Sequence, residues 1–431
     1  MKKAETIEDI YDVFAPEKYL TKEDKEFYVD LYGDKFKSFV TALKFNKVPS
    51  KTFFIAGQSG NGKSTVLNLL TTNFEEIEEK YTFHTVAGKN IFLYNDIDIV
   101  DILLMIGSTL IQNNETLEKA YFDKLRKLGD IKDGTLEESE INSSSKAKGA
   151  SIQAKMGIGV KFLSIIKSGI DIIGSYKVNE EIRTDARKFF KIKRKELIDL
   201  TNEIISEYKR EQSNDKDLIV IIDDLEKKNN VDELFLKEMS LLNELNIIKI
   251  ITMPIHLYRN ETFPSEDVRE FGLKLKNFDD SVCTEDKDLL HEVIMKRVND
   301  NTLITEDAVK LAIDNSGANL RQLIRLVHIG AEKVLTHEGN QITINEIQYA
   351  VDSLQLAYSS KVNNMKTFLT QIKNTKAYED NAENLMNIAR ATKMELVFAY
   401  FNGIEWYELN PVIRDALQKY NAMGSNENTS N

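Results

Sequence analysis

The sequence predicts an α/β fold: a central parallel sheet covered by helices, then a helical region, then a small winged-helix-like domain at the C-terminus. Three stretches carry that prediction. Two are apolar runs rich in β-branched residues, Leu218-Ile219-Val220-Ile221-Ile222 and Ile247-Ile248-Lys249-Ile250-Ile251. The first reads as a strand buried on both faces, as in a parallel sheet between helices, and the second as a further strand. The third is Phe53-Phe54-Ile55-Ala56-Gly57-Gln58-Ser59-Gly60-Asn61-Gly62-Lys63-Ser64-Thr65, where a hydrophobic strand, a glycine-rich turn and a helix start follow in immediate succession.

That third stretch fits the pattern G-x-x-x-x-G-K-[ST], and its strand–turn–helix setting is what makes the pattern a phosphate-binding loop. Gly57, Gly60 and Gly62 open backbone conformations closed to other residues, so successive N–H groups can point at one anion. The helix starting near Lys63 adds its unpaired amides and the positive end of its dipole. Lys63 supplies a point charge for β- and γ-phosphates, the Ser64 hydroxyl can ligate Mg²⁺, and Gly57 to Thr65 together form the binding loop. The helix continues through Val66-Leu67-Asn68-Leu69-Leu70 to about Asn73.

A second element completes the site. Asp223 and Asp224 follow the strand Leu218–Ile222, at the end where open α/β sheets keep their ligands. In this reading Asp223 holds Mg²⁺ and Asp224 orients or deprotonates the attacking water, with Glu226 the alternative for that second role. Thr252 ends the strand Ile247–Thr252, where a polar group would reach a γ-phosphate from the neighbouring strand. Phe271–Lys276 is read as the last strand of this domain.

The remaining elements follow in order. Ile7 to Lys47 reads as two short helices, with Tyr11, Phe14, Phe27, Tyr28, Leu31, Tyr32, Phe36 and Phe39 as core positions. Tyr81–Val86 and Ile91–Tyr94 read as strands, and Ile99–Leu110 and Glu115–Leu128 as helices. Ser139 to Gly159 shifts to Ser, Ala, Gly and Lys, the composition of an exposed insertion, ending in an amphipathic helix at Val160–Gly174. Glu180–Gln212 reads as one long helix. Its basic cluster Arg187–Lys195, interleaved with Phe189 and Phe190, is of a kind that can bind nucleic acid, but the nearby acids make a solvated face the stronger reading. A helix follows at Asp232–Leu245. Beyond Glu285 the pattern is helical over Leu289–Val298, Glu306–Asn315, Leu320–Thr336 and Ile344–Ala357. Gly317 suits a helix stop, and Arg321 falls in the first turn of the next helix, where the dipole disfavours it. Met394–Tyr400, a turn at Gly403 and Trp406-Tyr407 predict a small winged-helix domain, and Gly424–Asn431 a polar tail.

Composition bounds the function. Among 431 residues the net charge is −12, so no global positive field draws the chain to nucleic acid or anionic lipid. The single cysteine, Cys283, cannot form an internal disulfide, which fits a reducing compartment such as the cytoplasm. The N-terminus has no apolar signal-like region, and Met156–Ile173 is interrupted by Lys161, Lys167 and Asp171, so it does not read as a membrane span. The five histidines are scattered without ligand spacing, which argues against a separate metal centre.

Taken together, these elements resemble the AAA+ and STAND-type P-loop ATPases, including origin-recognition-like and bacterial defence-type members. The resemblance covers Lys51 to about Ala357. It implies an ATPase using ATP and Mg²⁺, with Thr252 in the place of sensor 1 and Arg321, within Ser316-Gly317-Ala318-Asn319-Leu320-Arg321, in that of sensor 2. Arg269, with Arg259 next, lies in the region of the arginine finger that such proteins offer a neighbouring subunit, so the resemblance implies a homo-oligomer. Asp224 stands where many AAA+ members carry Glu, and the insertion before the second element is far longer than usual. The domains expected are 1–50, an N-terminal helical segment; 51–280, the ATPase core with its insertion at about 139–212; 281–358, a helical lid; and 359–431, the winged-helix domain and tail. The function expected is an oligomeric switch or motor controlling a protein partner through the insertion or the C-terminal domain, with anti-phage defence as one setting. The alternatives are an origin-recognition-like nucleic-acid loader and a nucleotide-locked scaffold with little turnover.

Overall fold

The computed structural model describes residues 1–18, 20–87, 96–111, 114–130, 187–212, 215–258, 263 and 268–427. The expected strand Ile91–Tyr94, the helix Val160–Gly174 and most of the insertion lie outside the described residues. The central sheet is present. Its strands are β1 (Thr52–Ala56), β2 (Tyr81–Ala87), β3 (Asp217–Asp223), β4 (Ile248–Met253) and β5 (Val268–Glu270), in the order β2-β3-β4-β1-β5. β2 runs parallel to β3 with Phe83 opposite Ile219, and β3 parallel to β4 with Ile221 opposite Ile250. Every residue of β1 and β4, and all but the first of β3, is buried, which is why these strands are apolar on both faces.

The chain forms two compact units. The first contains residues 1–44, 55–77 and 253–431, the second residues 45–54 and 78–252. The first unit opens with α1 (Ile7–Val13), whose start is closed by a capping box between Thr6 and Asp9. A 3₁₀ segment, Lys22–Phe27, and α2 (Gly33–Lys44) follow. Phe36 and Phe39 of α2 pack around Phe271, and Tyr32 stacks on the same ring at 4.8 Å, so this segment is core. Next come α3 (Lys63–Asn73) and the short α4 (Glu75–Lys80).

The second unit carries α5 (Ile99–Ile111), α6 (Glu115–Asp130), α7 (Arg194–Glu211) and α8 (Val231–Lys237). Two long helices expected from periodicity are broken here. Residues 187–192 are helical, but Lys193 leaves helical geometry at φ −99°, ψ 31° before α7 begins. The segment after Lys237 tightens into a 3₁₀ turn over Met239–Glu244. Lys188, Lys191 and Lys195 of the basic cluster are exposed as expected, but Arg187 departs from a solvated face. The Arg187 guanidinium pairs with Asp96 and the fully buried Asp101, and Lys191 Nζ lies 2.7 Å from Asp98, while Phe189 and Phe190 are buried. A buried carboxylate needs such a partner, since taking its charge out of water unpaired is costly.

Lys249 is the other charge the apolar pattern conceals. It is fully buried in β4, and its Nζ donates to the carbonyls of Ser50 (2.9 Å), Leu242 (2.6 Å) and Leu245 (3.3 Å). Burial pushes its pKa down to about 7.

The rest of the first unit is helical: α9 (Thr284–Met295), α10 (Glu306–Ser316), α11 (Leu320–Leu335) and α12 (Ile344–Asn364). α11 buries Leu320, Leu323, Leu326, Val327, Ala331 and Val334, a single stripe at helical spacing. The C-terminal part follows the winged-helix-like expectation. α13 (Lys366–Thr375) and α14 (Ala382–Lys393) precede an antiparallel hairpin of β6 (Val397–Asn402) and β7 (Ile404–Leu409), and α15 (Arg414–Glu427) closes it. Gly403 turns the hairpin at φ +76°, and Phe398, Tyr400 and Trp406 form its core.

Candidate nucleotide site

The loop from Gly57 to Gly62 joins β1 to α3, and each of its glycines has a physical reason. Gly60 and Gly62 hold φ of +92° and +80°, the left-handed region that disfavours other residues. Gly57 is needed for close approach instead: a Cβ there would sit 2.7 Å from the Phe271 carbonyl oxygen. α3 starts on Gly62 without a side-chain cap, and its first turn carries no carboxylate. By contrast, Thr305, Asn319 and Thr343 cap α10, α11 and α12 with their own side chains. The α3 start is therefore suited to an exogenous anion.

Lys63 is folded into this loop, 3% exposed, with Nζ donating to the carbonyls of Gly57 (2.8 Å) and Gln58 (2.9 Å). Ser64 and Thr65 lie half-buried on the first turn. Tyr32 donates its hydroxyl to the Asn61 carbonyl, and the Asn61 side chain reaches the Phe271 carbonyl at 3.4 Å. The strand expected at Phe271–Lys276 is a correction. β5 is the shorter Val268–Glu270, and Phe271 adds only its N–H to the Ala56 carbonyl at 2.8 Å before the chain leaves the sheet.

The start of α11 lies against the crest of the loop. The Arg321 amide donates to the Gly60 carbonyl at 3.1 Å, and its Nη1 donates to Ser59 Oγ at 2.8 Å. Asn319 Nδ2 donates to the Ser59 carbonyl at 2.7 Å. A Cβ on Gly60 would come within 2.6 Å of Asn319 Oδ1, so the contact exists only because that residue is glycine. The turn before α11 holds two successive left-handed residues, Gly317 (φ +60°) and Ala318 (φ +61°). Gln58 Nε2 donates to the Ala399 carbonyl in β6 at 3.1 Å, and the Tyr400 hydroxyl to the Gly317 carbonyl at 2.7 Å. The sequence-assigned Lys63, Ser59 and Arg321 thus meet at one loop. Gln58, also assigned to the loop from sequence, joins them, as do Asn319 and Tyr32, for which the sequence reading gave no such contact. Asn319 stands two positions before Arg321, which is the signal that points nearest to it.

In the second unit, β3 ends at Asp223 and the backbone turns at Asp224, whose φ is +66°. The Asp224 amide donates to Asp223 Oδ1 at 2.8 Å, and both side chains are buried. Thr252 is fully buried in β4, and its Oγ1 donates to Glu226 Oε2 at 2.9 Å. Thr252 is therefore joined to the alternative acid of the sequence reading. Arg269 lies within β5 rather than before the last strand, with Nη1 on its neighbour's Val268 carbonyl at 3.1 Å. Arg259 lies outside the described residues. Among those residues no group of His, Cys, Asp and Glu has the arrangement of a metal centre, and no helix is long and apolar enough to cross a membrane.

Comparison with known proteins gives the family. No curated protein matches the sequence. Solved structures similar to the chain include the Aeropyrum pernix ORC1 protein in complex with DNA, at 10% identity and a TM-score of 0.43, covering 96% of this chain and 97% of that one. Cdc6p from Pyrobaculum aerophilum matches at 11% identity and 0.41, covering 95% and 98%. The Thermotoga maritima RuvB Holliday junction branch migration motor matches at 11% and 0.34, covering 83% of each chain. The model of the KAP family P-loop domain matches residues 36–253, just over half of the chain. That span includes the whole phosphate-binding loop and both β3 and β4, and it bears out the P-loop reading: the protein belongs to the KAP family of P-loop NTPases.

Proposed function

We propose that the chain binds ATP with Mg²⁺ and hydrolyses it, acting as a switch whose state is reported to a partner. The observation that carries this reading is the docking of Asn319 and Arg321 on the crest of the Gly57–Thr65 loop. It brings a second cation to the loop that already encloses Lys63, and two cations are what the charge on a transferring phosphoryl group calls for. The Gly60 and Gly62 backbone, the start of α3 and Lys63 bind the phosphates, and Arg321 reads the terminal one. Ser64 and, by the sequence pattern, Asp223 are the residues that would hold Mg²⁺; when bound, the ion neutralises charge on the phosphate oxygens. Asp224 orients the attacking water, and Thr252 acts on the same end of the sheet through Glu226. Arg269 serves as the finger offered to a second copy of the chain.

The test is binding and turnover with purified protein. ATP and ADP affinity, Mg-dependent phosphate release and particle mass with a non-hydrolysable analogue are measured for wild type, Lys63→Ala and Asp224→Asn. The expected result is loss of affinity in the first variant and retained affinity with slowed release in the second. Absence of affinity for either nucleotide in the wild type overturns the reading. A mass unchanged by the analogue overturns the role given to Arg269.

A further inference from the structure

We infer that Glu395 is a positioning residue for Arg321, the counter-charge that a terminal phosphate must displace; the inference rests on the nucleotide reading above. Arg321 Nη1, besides its bond to Ser59 Oγ, lies 3.5 Å from Glu395 Oε1. The other carboxylate oxygen, Oε2, accepts from the Tyr358 hydroxyl at 3.0 Å and faces Arg325 Nη1 at 3.5 Å. One carboxylate thus stands between two guanidinium groups of α11, with its side chain only 17% exposed.

The placement is built into the backbone. Glu395 lies between α14 and β6 at φ +60°, a conformation that costs a non-glycine residue about 1 kcal/mol and persists where the surroundings enforce it. The surroundings do so. Its carbonyl accepts from Asn410 Nδ2 at 2.8 Å, and its amide donates to the Thr392 carbonyl at 3.1 Å. Asn410 in turn exchanges two side-chain amide bonds of 2.7 Å with Gln322, the residue next to Arg321. The entry to the C-terminal hairpin is therefore locked to the same helical turn that carries the sensing arginine.

Two consequences follow from the charges. With the carboxylate present, the Arg321 charge is shared, so a γ-phosphate gains less from it than from a free guanidinium. When the phosphate takes Arg321, Glu395 keeps Arg325 and Tyr358, and the contact between α11 and the hairpin entry loosens. ATP, but not ADP, is thereby coupled to the C-terminal hairpin.

The experiment measures ATP and ADP affinity for wild type, Glu395→Gln, Glu395→Asn, Arg321→Ala and the Arg321→Ala/Glu395→Gln pair. Asparagine tolerates the left-handed backbone and carries no charge, so it covers the case in which the glutamine variant folds poorly. The expected result is a rise in the ATP-to-ADP affinity ratio of roughly threefold to tenfold in both single Glu395 variants. Arg321→Ala lowers the ratio, and the Glu395 change then has no further effect on it. A ratio unchanged by both Glu395 variants, while Arg321→Ala still lowers it, overturns this inference and leaves the nucleotide reading standing. No binding of either nucleotide in wild type overturns both. A shift in melting temperature without a change in ratio marks Glu395 as structural only and likewise overturns the inference.

Discussion

Asn319 ties the start of α11 to the Ser59 carbonyl: its Nδ2 donates there at 2.7 Å while its Oδ1 accepts from the Gln322 amide at 3.0 Å. One side chain both caps a helix and grips the phosphate loop. The two roles separate by substitution. Serine caps as well as asparagine but is too short to reach the loop, whereas alanine does neither. Asn319→Ser and Asn319→Ala are expected to weaken nucleotide binding alike, and the alanine variant to be less stable than the serine variant by about 1 kcal/mol. Calorimetric binding and denaturant titration check the pair; equal stability of the two variants removes the cap from the account.

Gly60 is constrained twice, by its φ of +92° and by Asn319 Oδ1 and the Arg321 Cβ at 2.6 and 2.8 Å from a would-be Cβ. Gly403 has a φ of +76° and nothing within 4 Å. Gly403→Ala is therefore expected to cost about 1 kcal/mol, from the backbone alone. Gly60→Ala adds displacement of α11 and is expected to cost about 2–4 kcal/mol with loss of nucleotide affinity. Denaturant midpoints of the two variants, measured side by side, decide whether the contact or the dihedral dominates.

Lys249 makes stability depend on pH in a defined direction. Burial lowers its pKa from 10.5 to about 7, so between those values the unfolded chain holds more protons than the folded one. Stability therefore rises with pH across that window. Lys249→Met removes the titrating group and is expected to flatten this part of the profile. It also removes hydrogen bonds to the Ser50, Leu242 and Leu245 carbonyls, of which Leu242 and Leu245 keep the backbone amides of Leu245 and Ile247, at a cost of about 1 kcal/mol at pH 10. Unfolding midpoints from pH 7 to 10 for both proteins supply the comparison; parallel profiles would remove Lys249 from the explanation.

Thr252 donates to Glu226, so Thr252→Val keeps the buried shape and deletes the donor. Single-turnover hydrolysis is expected to fall roughly tenfold to hundredfold with nucleotide affinity nearly unchanged, the signature of an interaction that acts on the chemical step. Glu226→Gln tests the other partner of the same bond. An unaltered rate in both variants confines the pair to packing.

The local features of the molecule were legible in the sequence. The phosphate loop, the strands β3 and β4, the break at Gly317 and the start of α11 all depend on neighbours a few residues apart. Glycine spacing, β-branched runs and capping residues therefore carry them. Where the pattern misled, a local rule met a tertiary demand. Phe271 looked like strand, but its ring serves as the anvil for Tyr32, Phe36 and Phe39 while its carbonyl closes over Gly57. Arg187 looked like part of a solvated face because the buried Asp101 that it neutralises lies 86 positions earlier in the chain. The bond from Arg321 to Ser59 spans 262 positions, that from Gln58 to Ala399 spans 341, and Glu395 reaches Arg325 across 70. The strength of a hydrogen bond or ion pair depends on distance and burial, neither of which periodicity encodes. Sequence therefore determined that a phosphate loop exists and where its helix begins, and only the packed chain decided which side chains press on it.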